Sequence, residues 1–165
     1  MSIKGLHHFA WKCVDAQETI DFYSGILKLP LVHTIEKDYV PSTGEYAPYK
    51  HIFFGMDDDS NIAFFDTGDG KGVTTDCDDW IVHFAFRVNT KKEVDAWNDT
   101  LKIHDIDVIG PVNHDDWIYS IYFFDPNGLR LEITPRLDSP RARQRRIGDK
   151  RYEYRESQSI EGKCR

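Results

Sequence analysis

His8-Phe9-Ala10-Trp11 returns 75 residues later as His83-Phe84-Ala85-Phe86, and the fold follows from this return. Each copy leads, after a short turn, into a stretch with helical spacing. Apolar residues at 20, 23, 26 and 27 mark one face of a helix over Thr19–Leu29, and those at 94, 97 and 101 mark one over Glu93–Ile103. Three strand-like stretches follow each helix. They are Leu31–Glu36, His51–Gly55 and Asn61–Asp66 in the first half, and Asp107–Val112, Ser120–Phe124 and Leu129–Thr134 in the second. Turn-forming residues, Asp57–Ser60 and Asp125–Gly128, occupy equivalent places between the last two strands of each half.

The order is therefore βαβββ twice. This predicts an α+β fold in which modules 1–70 and 78–137 form one curved mixed sheet around a cleft on its concave side. The Gly-, Asp- and Thr-rich segment 67–79 reads as the linker between them, and 138–165 as a basic tail.

Strand side chains alternate between faces, so the apolar parity assigns the polar ones. In Val82–Phe86 the bulky set is 82, 84 and 86, which leaves His83 and Ala85 on the other face. The same parity puts Phe9 and Trp11 in the core and His8 and Ala10 opposite. In Leu129–Ile133 the leucines and isoleucine are core, and Arg130 and Glu132 face away from it. In Ser120–Phe124, residues Ser120, Tyr122 and Phe124 share the cleft side. Two imidazoles and a carboxylate on the polar sides of three strands suit a borderline or hard divalent cation. Such a set leaves coordination positions for substrate or water. The facing of His51 stays open, because Gly55 could mark a bulge in its strand. Tyr39, Tyr46, Tyr49, Trp117 and Tyr119 are read as loop aromatics that either cover the cleft or buttress packing.

Bulk properties narrow the function classes. Forty per cent hydrophobic residues suffice for a real core. The net charge of −7 divides unevenly. Residues 136–165 hold ten Lys/Arg against five Asp/Glu, or +5, which leaves −12 on the rest. An acidic body argues against a nucleic-acid partner. No apolar run reaches the roughly 18–20 residues of a membrane-spanning helix. Cys13, Cys77 and Cys164 lack metal-site spacing and suggest no disulfide framework, so a cytoplasmic location is expected.

The chain resembles the vicinal oxygen chelate superfamily, the glyoxalase, bleomycin-resistance and extradiol-dioxygenase group, over about residues 3–135. The resemblance is carried by Leu6–Trp11, by Asp21-Phe22-Tyr23 with Leu27-Lys28-Leu29, by Val82–Phe86, and by Ile121–Glu132. Within the superfamily the motifs are most similar to extradiol ring-cleaving dioxygenases. Their signature reads here as His114, then Ile121-Tyr122, Asp125-Pro126-Asn127-Gly128 and Glu132. The resemblance implies His8, His83 and Glu132 as ligands of one divalent metal, Fe(II) foremost, with Mn, Zn, Ni or Mg as alternatives. It implies His114 and Tyr122 as catalytic groups near the bound substrate, a catechol-like or other vicinal-oxygen small molecule. It also implies a homodimer.

The pattern departs from that of the dioxygenases at two places. Asp59 and Ser60 stand where the large extradiol enzymes carry a His-His pair, which leaves His51 or His114 to substitute. Those enzymes also carry two tandem copies of this unit, where this chain shows one. The glyoxalase I and epimerase branches instead use a fourth ligand, a Glu in the last strand of the first half; the position aligned with Glu132 there is Phe64, so no fourth protein ligand is expected. Two other readings remain open on the same scaffold. One is a non-oxidative lyase, isomerase or thiol transferase, and the other is a metal-free small-molecule binding protein.

Overall fold

The computed structural model describes residues 2–114 and 118–135. Trp117 and the basic tail lie outside the described residues, as does the side chain of His114. The protein is α+β and consists of two βαβββ modules, each built on a four-stranded mixed sheet.

In the first module β1 (His8–Lys12) is followed by a short helix α1 (Ala16–Ile20) that runs on as a π-helical segment (Asp21–Ile26). Strands β2 (Leu31–Tyr39), β3 (Tyr46–Gly55) and β4 (Asn61–Asp66) complete it. The sheet order is β1-β4-β3-β2, with β1 parallel to β4 and the other pairs antiparallel. The second module repeats this with β5 (His83–Val88), α2 (Lys91–Ile103), β6 (Ile109–His114), β7 (Ile118–Phe124) and β8 (Arg130–Pro135), in the order β5-β8-β7-β6.

Local signals set the helix starts. Asp15 accepts a hydrogen bond from the Glu18 amide at 2.8 Å. At α2, Thr90 and Glu93 form a reciprocal capping box, worth about 0.5–2 kcal/mol for the cap alone. The helices begin four and three residues before the apolar periodicity does, because a cap needs a polar residue ahead of the first apolar contact.

The chain divides into two compact units. One comprises the described residues through Thr74 together with Asp125–Leu129, the turn between β7 and β8; the other comprises Thr75–Phe124 and the described residues from Arg130. The core of the first unit forms where Tyr23, fully buried, meets Phe54 and Phe64 at ring-centroid distances of 5.1 and 4.9 Å. Ile52 and Ile62 on the same face are also fully buried. Each such side chain contributes on the order of 1.5–3 kcal/mol by leaving water. Cys13 is a buried core residue too, and burial pushes its thiol up to about 11.

Two expectations are corrected here. Tyr39, Tyr46, Tyr49 and Tyr119 are strand residues, with Tyr119 opposite Asn113 in β7, and Tyr39 opposite Tyr46 and Lys37 opposite Tyr49 in a long β2–β3 hairpin. Alternation is weak there because β2 is mostly exposed, so its apolar pattern ends before its backbone pairing does. Gly55 also marks no bulge in β3, whose pairing with β4 runs unbroken from Lys50 to Gly55. The irregularity lies in β2 between Leu31 and His33. A Cβ on Gly55 would come within 2.9 Å of Val32 Cγ1, so a larger residue there would require the Val32 side chain to shift.

Candidate metal centre

β8 is built on alternation. Leu131 and Ile133 are buried on the helix side, which turns Arg130, Glu132 and Thr134 to the other face. Glu132 stands opposite Ala85 on β5 and Tyr122 on β7. Glu132 is only 5% exposed. Its Oε1 accepts from the buried Ser120 hydroxyl at 2.5 Å, and its Oε2 lies 3.1 Å from His83 Nε2. The Tyr122 ring meets the His83 ring edge-on at 6.2 Å. Burial, and next the Glu132 charge, push the Tyr122 hydroxyl above the usual phenol range. At neutral pH it therefore keeps its proton and acts as a donor.

This donor set fits a divalent cation. Two adjacent ligands of a six-coordinate ion with bonds of about 2.1 Å are about 3.0 Å apart. The 3.1 Å between His83 Nε2 and Glu132 Oε2 is close to that separation. Ser120 holds the far carboxylate oxygen, the usual task of a group behind a metal ligand. Among the described residues, however, neither unit by itself gathers three or more His, Cys, Asp or Glu side chains into a set for a metal ion.

In the first unit, His8 occupies the place on β1 that His83 has on β5 and is exposed. Its Nδ1 lies 2.8 Å from that of His7, and its ring is 5.4 Å from Phe53 and 6.1 Å from His51. His51 is a cleft-type residue by parity, since its partner Phe65 shares the face of His8, Ala10, Ala63 and Phe53. It is 7% exposed and stacked on Phe65 at 3.6 Å, and its Nε2 is buried with no partner. Burial, with the charges of His8 and His33 as smaller causes, lowers it to about 4, so it is neutral at pH 7.

The register also corrects one alignment. Glu132 pairs with Ala85, and the equivalent pair in the first module is Ala63 with Ala10. Ala63, not Phe64, therefore stands in the place of Glu132; Phe64 faces the helix core beside Tyr23. A one-residue offset moves a side chain to the opposite face. Neither residue can ligate, so a fourth carboxylate is missing either way. Ser60 is buried, and its hydroxyl donates to Asp58 at 2.5 Å. His114 ends β6, paired with Ile118.

Ser120 was legible as a residue of this face but carried no role in the sequence. Its part depends on the β7–β8 register, which only pairing reveals.

The model of the glyoxalase/bleomycin resistance protein/dioxygenase superfamily matches residues 5–133. The chain belongs to this superfamily. Among solved structures, an integron cassette protein from the mobile metagenome of the Halifax Harbour sewage outfall is 26% identical. It superposes with a TM-score of 0.59 over 81% of this chain and 99% of that one. The lactoylglutathione lyase of Agrobacterium tumefaciens is 20% identical, with a TM-score of 0.60 over 82% and 96% of the two chains. The fosfomycin resistance protein FosX of Listeria monocytogenes was solved with Mn(II) and a dihydroxypropylphosphonic acid. It is 19% identical, with a TM-score of 0.61 over 86% and 98%. These last two share the superfamily fold with this chain. No curated protein matches it. Among the described residues no helix is long and apolar enough to cross a membrane.

Proposed function

We propose that this superfamily member is a metal-dependent oxidoreductase of the extradiol-dioxygenase kind, acting on a catechol-like small molecule. The observation that carries the reading is the His83–Glu132 pair, with Nε2 and Oε2 3.1 Å apart and Tyr122 beside them. His83 and Glu132 hold the ion, and the resemblance adds His8 as the third ligand. Two imidazoles and one carboxylate are the ligand set of non-haem Fe(II) oxygenases, and Fe(II) is the metal proposed. When bound, the ion supplies a Lewis acid that favours the ionised form of a vicinal hydroxyl.

The chain's own residues do the rest. Ser120 fixes the Glu132 carboxylate so that one oxygen stays aimed toward His83. Tyr122 remains a phenol and donates a hydrogen bond to a substrate oxygen. His114, from the motif, moves the proton that the substrate releases.

A second reading is favoured by Ser60. Its hydroxyl is committed to Asp58, so this position offers no acid–base group where ring-cleaving relatives have an imidazole. A non-oxidative lyase, isomerase or thiol transferase using Mn, Zn, Ni or Mg would need none there.

One experiment separates the two. Protein purified without chelator is assayed for metal, then iron-loaded under reducing conditions and screened for oxygen uptake over a catechol panel. About one metal per chain, with oxygen consumption and a yellow ring-fission product, is the expected result. Metal without oxygen uptake on any catechol replaces the first reading by the second. Full metal occupancy in the His8→Ala/His83→Ala/Glu132→Ala variant removes both.

A further inference from the structure

Arg130 shares the face of Glu132, two residues before it on β8, and stands across the parallel ladder from His83. Its side chain is 13% exposed, and its Nε is buried with no hydrogen-bond partner. The guanidinium carbon lies 4.7 Å from the centroid of the Tyr122 ring, the ring that His83 approaches at 6.2 Å. Among the described residues its ion pair is with Asp79, whose Oδ1 is 3.5 Å from Nη1; the Asp79 side chain is 61% exposed. That is a long contact to a solvated carboxylate.

A guanidinium cannot shed its proton, and a buried N–H without an acceptor is unfavourable. Asp79 takes the Nη1 corner. The edge made by Nε–H and the neighbouring Nη2–H is the flat two-donor fork that matches a carboxylate, and its buried Nε–H has no acceptor among the described residues. The guanidinium lies over the Tyr122 ring in cation–π contact, which restrains it beside the site. Two residues along a strand span about 6.6 Å, comparable to the reach across one aromatic ring from a vicinal diol to an opposite substituent.

We propose that Arg130 binds a carboxylate of the substrate, so that the molecule taken is a vicinal-oxygen compound with an anionic end. The proposal rests on the reading of His83 and Glu132 given above. It makes Arg130 a determinant of specificity: a neutral catechol leaves the buried fork unmet, and a carboxylated one fills it.

Calorimetric titration of the purified protein with three probes tests this. They are protocatechuate, a methyl-substituted catechol of the same shape, and para-toluate, which has the carboxylate without vicinal oxygens. Protocatechuate is expected to bind about tenfold more tightly than the methylcatechol, as suits a charge-assisted bidentate contact. Arg130→Gln removes that preference and leaves methylcatechol binding nearly unchanged, while Arg130→Lys restores only part of it. Should Arg130→Gln fail to fold, Asp79→Asn keeps the test. Freeing Nη1 from its exposed partner is expected to tighten protocatechuate by about twofold. Equal binding of the two catechols overturns the proposal, as does a preference that survives Arg130→Gln, an Asp79→Asn variant that binds no more tightly, or failure of every probe. If para-toluate binds through Arg130 and methylcatechol does not bind at all, Arg130 stands and the vicinal-oxygen reading falls. If methylcatechol binds and neither carboxylate gains from Arg130, the reverse holds.

Discussion

The Tyr23 hydroxyl donates to Asp125 Oδ2 at 2.9 Å, a buried hydrogen bond between residues 102 apart in the chain. Asp125 opens the Asp-Pro-Asn-Gly turn and also accepts from the Asn127 and Leu129 amides, so one carboxylate closes the turn and receives the helical segment. This is why the turn between β7 and β8 belongs to the first unit rather than to the sheet it joins. Burial raises the Asp125 carboxyl despite these donors, and burial with the Asp125 charge holds the Tyr23 phenol well above its ordinary value.

Tyr23→Phe is expected to lower stability by about 1–3 kcal/mol, the scale of a hydrogen bond to a charged group. The loss is pH-dependent. Tyr23 is raised in the folded protein, so its contribution is fully present below the ordinary phenol range. It declines as pH rises past that range, because the unfolded chain ionises first. Urea melts at pH 8 and at about pH 10.5 check this: the gap between wild type and variant should narrow at the higher pH. A gap of constant size would show that Tyr23 does not titrate as a buried donor.

Ser120→Ala should weaken metal binding by about 10- to 100-fold while leaving the fold intact, since it frees the carboxylate oxygen that Ser120 holds. Competition with a chromogenic chelator measures the affinity, and far-UV circular dichroism the fold. Unchanged affinity would mean that Glu132 does not ligate.

Tyr122→Phe and His114→Ala should keep the metal and lose turnover by about 10²–10⁴-fold, the usual scale for a positioned acid–base group. Metal analysis and oxygen uptake on the same preparations read the two effects separately. Loss of metal in Tyr122→Phe would recast Tyr122 as part of the ligand shell.

The chain is expected to sediment as a homodimer at micromolar concentration, because among the described residues both sheets leave edge strands unpaired within their own units. A monomeric mass throughout that range would count against it. Truncation after Leu137 shows whether the basic tail takes part.

The sequence alone determined the repeat, the βαβββ order and the facing of His8, His83 and Glu132. All three rest on local periodicity: an apolar residue every second position on a strand, or every third or fourth on a helix, fixes which side chains turn away from the core. The capping residues Asp15 and Thr90 were present as well, though the apolar pattern placed both helix starts a few residues late.

Tertiary structure decided what depends on pairing between strands. Only the register shows that Ala63 rather than Phe64 matches Glu132, that Ser120 reaches the carboxylate, and that His51 lies buried against Phe65. It also extends β2 and β3 through Tyr39 and Tyr46, where side chains are too exposed to mark a strand by alternation. The hold of Tyr23 on Asp125 belongs here too. Nothing local to a helix or a turn records a partner 102 residues away, because that contact exists only once both segments have packed into one core.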